Sequence, residues 1–209
     1  LLVQTSLVNY SGGGWYGDWY EHYERATFFA GQLDAGHKFL DVHPLTSRPP
    51  MFNVLSYVFM TFIGFSYSDY QVVATLLNSS ILLVAAMLFS WFIDGKHVRA
   101  SGPTTLAFVS IALMMHPMVV TNILYPWTRM LANAFLLMGL YFWVKALCED
   151  RPAHLPVSFL FLSAAHLTHY STASFILPLL VVLAYKTVKD LNRFTRPAFT
   201  AILTALAVN

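Results

Sequence analysis

The stretch QVVATLLNSSILLVAAMLFSWFI, Gln71 to Ile93, decides the fold class, because it holds no charged side chain from end to end. At about 1.5 Å per helical residue it is long enough to cross a hydrocarbon core of roughly 30 Å. Lipid offers no partner for backbone N–H and C=O groups, so such a segment is helical. The whole chain agrees with it: 57% of its residues are hydrophobic, 11% are charged, and the mean hydropathy is +0.57. That balance lies outside the range of ordinary soluble domains. The net charge of +2 and the lack of a basic, aromatic-interleaved run give no reason to expect nucleic acid as a partner.

Working outward, the expected spans run from Asp69 to Ile93, Pro103 to Val120, Arg129 to Leu147, Leu155 to Thr168, Ser171 to Tyr185, and Pro197 to Asn209, the last truncated. The fourth and fifth are short and meet at a polar hinge, His166 to Ser171. Pro49, Pro103, Pro156 and Pro197 stand near helix starts, where a missing N–H costs nothing. The first residue is Leu1, and Asn209 falls inside an apolar run, which reads as a fragment truncated at both ends. Cys148 is the only cysteine, which leaves no intramolecular disulfide to form.

Ahead of the first span the composition changes. Five of the ten acids, Asp18, Glu21, Glu24, Asp34 and Asp41, lie in the first 41 residues. The expected organisation is therefore an extracytoplasmic loop with interfacial helices over 1–68 and a transmembrane bundle over 69–209. Pro50 to Phe65 is apolar but short for a crossing. If it lies in the interface, Lys96, Arg99, Lys145, Arg151, Lys186, Lys189, Arg193 and Arg196 share the cytoplasmic side, eight of the twelve Lys and Arg, as the positive-inside rule favours. From Asp18 to Leu33 the spacing predicts an interfacial helix with Asp18, Glu21, His22, Arg25 and Gln32 on one face and aromatics elsewhere. Gly12-Gly13-Gly14 lacks the context of a phosphate loop.

Several residues at this boundary have side chains suited to chemistry. Asp18 is placed to act as a general base, or to cap the helix with Glu21 completing a capping-box-like pattern. Arg48 precedes Pro49-Pro50, so its backbone is expected to be extended. Its guanidinium suits either a substrate phosphate or a lipid headgroup. His43 lies close by as a further donor or a solvated loop histidine. Arg129 follows Tyr125-Pro126-Trp127-Thr128 and is either a cavity cation or an anchor in an aromatic belt. His169 sits between two short spans, where it could donate to a phosphate. The histidines form no compact metal-ligand pattern, and nothing demands a metal, although Asp18 with a neighbour is chemically able to hold a divalent ion.

The order of these features resembles the GT-C membrane glycosyltransferases, in particular the group of protein O-mannosyltransferases and the aminoarabinose transferase that modifies lipid A. The resemblance rests on Gly17-Asp18-Trp19-Tyr20-Glu21, Ser47-Arg48-Pro49-Pro50, the long helix ending in Asp94-Gly95-Lys96, Tyr125 to Leu131, and Leu167-Thr168-His169-Tyr170. It implies an all-α, polytopic membrane helix bundle of GT-C type with an outer loop of juxtamembrane amphipathic helices. The implied activity takes a sugar from a polyprenyl-phosphate donor to a lipid, protein or glycan acceptor on the non-cytoplasmic face. It also implies that Asp18 is catalytic, that Arg48 contacts the donor phosphate, and that His169 faces the same group; Glu21 as a second acid on the same helix face, and Arg129 and His43 as further phosphate donors, are expected from their positions in this sequence. No cofactor is implied with certainty beyond the lipid-linked donor. Two features depart from the group: Thr128-Arg129 stands where many relatives carry a second acid, and Glu21 follows Asp18 by three positions instead of one. The rival reading is a transporter or flippase for a lipid-linked or amphipathic substrate.

Overall fold

The computed structural model describes residues 16–34, 36–94, 102–147, 149, 151–189, 199–200, 202–205 and 207. Among them the chain is all-helical and forms no strand. Gly12-Gly13-Gly14, Cys148, the loop 95–101 and six of the thirteen residues of the expected last span lie outside the described residues. Eight α-helices are described here: α1 Tyr16–Phe29, α2 Met51–Ile63, α3 Tyr67–Asp94, α4 Gly102–Met114, α5 Pro117–Leu124, α6 Arg129–Leu147, α7 Leu155–Thr168 and α8 Ala173–Lys189. They fall into two compact units, Leu1–Leu131 and Ala132–Asn209. The compositional boundary at 68/69 lies inside the first.

The helix ends follow local chemistry. Gly31, at φ 70°, stops α1 by a Schellman closure in which the Gly31 N–H reaches the Phe28 carbonyl at 2.9 Å and the Gln32 N–H reaches that of Thr27 at 3.2 Å. α2 begins directly after Pro49-Pro50 and stops at Gly64, whose φ of 134° excludes other residues without strain. α3 opens on a capping box: the Asp69 N–H donates to Ser66 Oγ at 3.2 Å, and Ser66 N–H and Oγ donate to Asp69 Oδ2 at 3.0 and 2.6 Å.

Two helices, Tyr67–Phe92 and Arg129–Leu147, are long and apolar enough to cross a membrane. The expected single span from Pro103 to Val120 is not formed. It breaks at His116 into α4 and α5, whose segments Ala107–Met114 and Pro117–Leu124 meet at 93°, and counting the pair as one bent span makes three. Pro117 supplies no N–H to continue the helix and forces His116 into extended backbone, φ −92° and ψ 111°. α7, at 14 residues, covers about 21 Å and falls short of a crossing. α2, at 13 residues, is likewise too short.

The first unit is organised around polar groups. The face of α1 carrying Glu21, His22 and Arg25 is expected to be a wetted interfacial face; it is instead buried, with exposures of 0, 1 and 1%. α2 shows the matching inversion: its inner stripe is Phe52, Asn53, Ser56 and Met60, while Phe62 and Ile63 are exposed at 82 and 52%. An apolar exterior around a polar interior is the arrangement a lipid or interfacial surrounding permits and water penalises. Deeper along α3, Asn78 is wholly buried and clamps the following loop. Its Nδ2 donates to the carbonyls of Tyr125 and Trp127 at 3.0 and 2.9 Å, and its Oδ1 accepts from the Leu131 N–H at 3.2 Å. Tyr70 Oη adds a bond to the Pro126 carbonyl at 3.1 Å.

The second unit is packed differently. Trp143, Ala146, Leu155, Phe159 and Leu183 form its apolar core, and Leu136, Leu162 and Ala165 form a neighbouring cluster. Gly139 makes the α6–α7 approach possible, since a Cβ there would stand 2.6 Å from Leu162 Cδ2. Ser158 Oγ seals the contact by donating to the Gly139 carbonyl at 2.8 Å.

Candidate functional site

The densest set of chemically competent side chains lies where α1, the 3-10 turn Leu45–Ser47 and α2 meet. Arg25 is at its centre. Its Nε and Nη2 donate to Glu21 Oε1 at 2.9 and 2.7 Å, a spacing of one helical turn. Nη1 donates to the Leu45 carbonyl at 2.6 Å, and Nη2 to the Pro44 carbonyl and to Ser47 Oγ at 3.0 and 2.8 Å. The guanidinium carbon also lies 4.3 Å from the ring centre of buried Phe39. Burial lowers the Arg25 pKa while its contact with Glu21 opposes the change, and the group stays cationic. One side chain thus ties α1 to the backbone immediately before Arg48.

Arg48 has the extended backbone expected ahead of proline, φ −132° and ψ 147°. Its Nη2 donates to Glu21 Oε2 at 3.3 Å, and the side chain is 31% exposed. Glu21 therefore accepts from a guanidinium at each oxygen, with Arg25 inside and Arg48 at the surface. Asp18 sits on the first turn of α1, and its side chain lies outside the described residues. His43 contributes its backbone: the Phe39 N–H donates to the His43 carbonyl and the His43 N–H to the Phe39 carbonyl, each at 2.9 Å. That turn holds Leu40 and Asp41 at φ 50° and 61°, and the Leu40 N–H donates to Glu24 Oε2 at 3.0 Å.

His22, next to this array, is the residue whose part in the site is hardest to read from spacing. Its Nδ1 lies 3.0 Å from Asn53 Oδ1 on α2. Burial, reinforced by the positive charges of Arg48 and Arg25, lowers its pKa to about 4 against the opposing pull of Asn53 and Glu21. It is thus a neutral imidazole at ordinary pH. Tyr23 donates to the Phe65 carbonyl at 2.9 Å, and burial, with Tyr20 and Asp69 nearby, raises its pKa.

The other expected site residues lie on other elements. Arg129 is exposed and stacks over Trp127, 3.8 Å from the ring centre, beside the loop that Asn78 holds. His169 belongs to the second unit, where its Nδ1 caps the turn Tyr170–Thr172 by accepting from the Ser171 N–H at 3.3 Å, with Ser171 Oγ at 2.9 Å. Accepting that N–H places the ring proton on Nε2. Among the described residues no three His, Cys, Asp or Glu side chains gather as a metal site.

Sequence reasoning placed Arg25 and His22 on a polar face, yet missed that they are the hub and its neighbour. The roles of Tyr70 and Asn78, inside a run read only as a membrane span, were also missed. The signal available for Asn78 was an amide within an uncharged span, since a polar group at that depth needs partners. No protein-family model, no curated protein and no solved structure matches this chain.

Proposed function

We propose that the chain is part of a GT-C-type membrane glycosyltransferase that takes a sugar from a polyprenyl-phosphate donor to a lipid, protein or glycan acceptor on the non-cytoplasmic face. The observation that carries this reading is the Arg25–Glu21–Arg48 relay. It presents a partly exposed guanidinium, fixed through a buried carboxylate, on rigid extended backbone ahead of Pro49-Pro50. Such a pre-oriented fork suits a phosphate. Asp18, on the first turn of the same helix, is the proposed base that accepts the acceptor's proton as the sugar leaves.

Arg48→Ala is expected to weaken binding of a polyprenyl-phosphate sugar, and Arg48→Lys to restore it only in part because the planar fork is gone. α1 begins at Tyr16, two residues before Asp18, so Asp18 is not the N-cap the sequence offered; Asp18→Asn, nearly isosteric but unable to take a proton, should lower turnover on the order of 10²-fold with donor binding kept. Unchanged donor affinity in Arg48→Ala would remove the basis of this reading.

Transport of an amphipathic substrate is the second reading, and two observations favour it: the bend between α4 and α5, and Gln71 and Thr75 on α3, buried without hydrogen-bond partners among the described residues. Proteoliposomes separate the two. Sugar transfer without lipid translocation supports the enzyme, and the reverse supports the transporter.

A further inference from the structure

The second unit carries its positive charge at one end. The apolar cluster of Trp143, Ala146, Leu155, Phe159 and Leu183 brings the C-terminal turns of α6 and α8 against the start of α7. Backbone bonds tighten that end: the Arg151 N–H donates to the Lys145 carbonyl at 3.2 Å, and the His154 N–H to the Arg151 carbonyl at 3.0 Å. Lys145, Arg151, Lys186 and Lys189 therefore share one end of the unit. Over 145–154 and 185–196 the sequence adds Arg193 and Arg196, and sets six Lys and Arg against three acids, Glu149, Asp150 and Asp190.

Two of these cations are held in the same way. Lys145 Nζ lies 4.5 Å from the ring centre of Tyr141, and Lys189 Nζ 5.8 Å from that of Tyr185, each tyrosine one helical turn before its lysine. Tyrosine and lysine paired at a helix end suit a membrane–water interface, where the ring sits at headgroup level and the amine reaches the polar side. An apolar belt lies directly behind, with Val181, Val182 and Tyr185 exposed at 63, 44 and 62%. The negative ends of α6 and α8 account for the three lysines, which stand in their last turns. They do not account for Arg151. It precedes the turn Pro152–His154 that leads into α7, where the helix dipole is positive and favours an acid.

We propose that this end of the second unit is a docking surface for anionic phospholipid, with headgroup phosphates among Lys145, Arg151, Lys186 and Lys189 and acyl chains along the exposed aliphatic face of α8. Charge complementarity and continuity with the apolar belt select this partner. A zwitterionic headgroup brings a compensating amine among cations and gains less from them. A soluble acidic peptide supplies the charge but has no acyl chain to cover Val181 and Val182. Sidedness in a membrane needs only that the cations reach water, whereas this surface discriminates between headgroups. The proposal concerns the second unit alone and does not depend on the glycosyltransferase reading.

The test is photolabelling of the full chain in phosphatidylcholine nanodiscs that hold a trace of phosphatidylglycerol with a diazirine on its headgroup, read by peptide mapping. Label is expected in the peptides around 141–154 and 185–189. Unlabelled phosphatidylglycerol should suppress it about tenfold better than added phosphatidylcholine, a preference that shrinks as salt is raised to about 1 M. Lys186→Gln together with Lys189→Gln, both exposed positions, should reduce the preference several-fold, and the matching pair of arginine substitutions should keep it. Equal suppression by the two lipids overturns the proposal, as does label spread evenly over the exposed apolar residues of α2 and α3. A preference untouched by the glutamine pair overturns it too. So does displacement by a soluble polyglutamate peptide as effective as phosphatidylglycerol, which would make the partner an acidic protein. The wild-type competition decides alone should the glutamine pair fail to fold.

Discussion

The two units bury polar groups in opposite ways. In the first, Glu21, His22, Arg25, Asn53 and Asn78 are all but inaccessible, and their bonds run between elements, from helix to turn, helix to helix and span to loop. In the second, buried Thr168 bonds a carbonyl one turn back in its own helix, and buried Ser158 bonds the Gly139 carbonyl of the neighbouring helix. Apolar contact and the close approach at Gly139 join α6 to α7. Directional bonds between elements fix geometry to a few tenths of an ångström, whereas apolar packing fixes volume and tolerates exchange. The first unit is thus built to hold particular groups in place, and the second to fill space.

The strongest way to break this contrast is Arg25→Met. It removes every bond joining α1 to residues 44–47 and leaves Glu21 buried with one fewer partner, so a loss of about 3–5 kcal/mol is expected. Hydrogen exchange gives the local readout: amides of α1 and α2 should lose protection while those of α7 keep theirs. Equal loss in both would show the units to be one cooperative body.

Acid should act on the same side of the contrast, with a somewhat smaller effect. His22 takes a proton in the unfolded chain near its ordinary value of 6.5 but in the folded chain only near 4. Its contribution is fully present above pH 6.5, declines between 6.5 and 4, and is gone below, about 3 kcal/mol in all. His22→Gln should flatten this part of the stability profile, measured by denaturation across that window.

In the second unit the informative change is Gly139→Ala. The added methyl meets the Leu162 side chain, and about 1–3 kcal/mol is expected from the resulting overpacking, seen as faster exchange in α7 with α1 untouched. The smallest effect belongs to Arg129→Gln, where losing an exposed cation over Trp127 should cost about 0.5–1 kcal/mol and shift the Trp127 emission.

Much of the helical layout was legible because its signals are local. Pro49-Pro50 and Gly64 bound α2, the extended backbone at Arg48 follows from the proline after it, and the uncharged run from Gln71 to Ile93 gives the body of α3. The break at His116 was missed because hydropathy carries on across Pro117, which outweighed the signal of the proline itself. The inversion of α1 was not legible for a deeper reason: helical spacing shows that Glu21, His22 and Arg25 share a face, but not what that face meets. Its partners lie about twenty to thirty residues further along the chain, at Pro44, Leu45, Ser47 and Asn53. The role expected of Arg48 and the position of Asp18 at the start of α1 were read from motifs, and what they act on is settled by the experiments above.

Asn78 also has a consequence for the order in which the molecule is made. It leaves the ribosome 53 residues ahead of Leu131, whose N–H satisfies its side-chain oxygen, and nearly as far ahead of the Tyr125 and Trp127 carbonyls that take its amide hydrogens. Throughout that interval the amide has none of these partners, so α3 cannot settle into its final environment on its own account. The clamp closes only when the chain through Leu131 has arrived, so a chain stopped before Tyr125 keeps an amide without the partners it has in the finished fold.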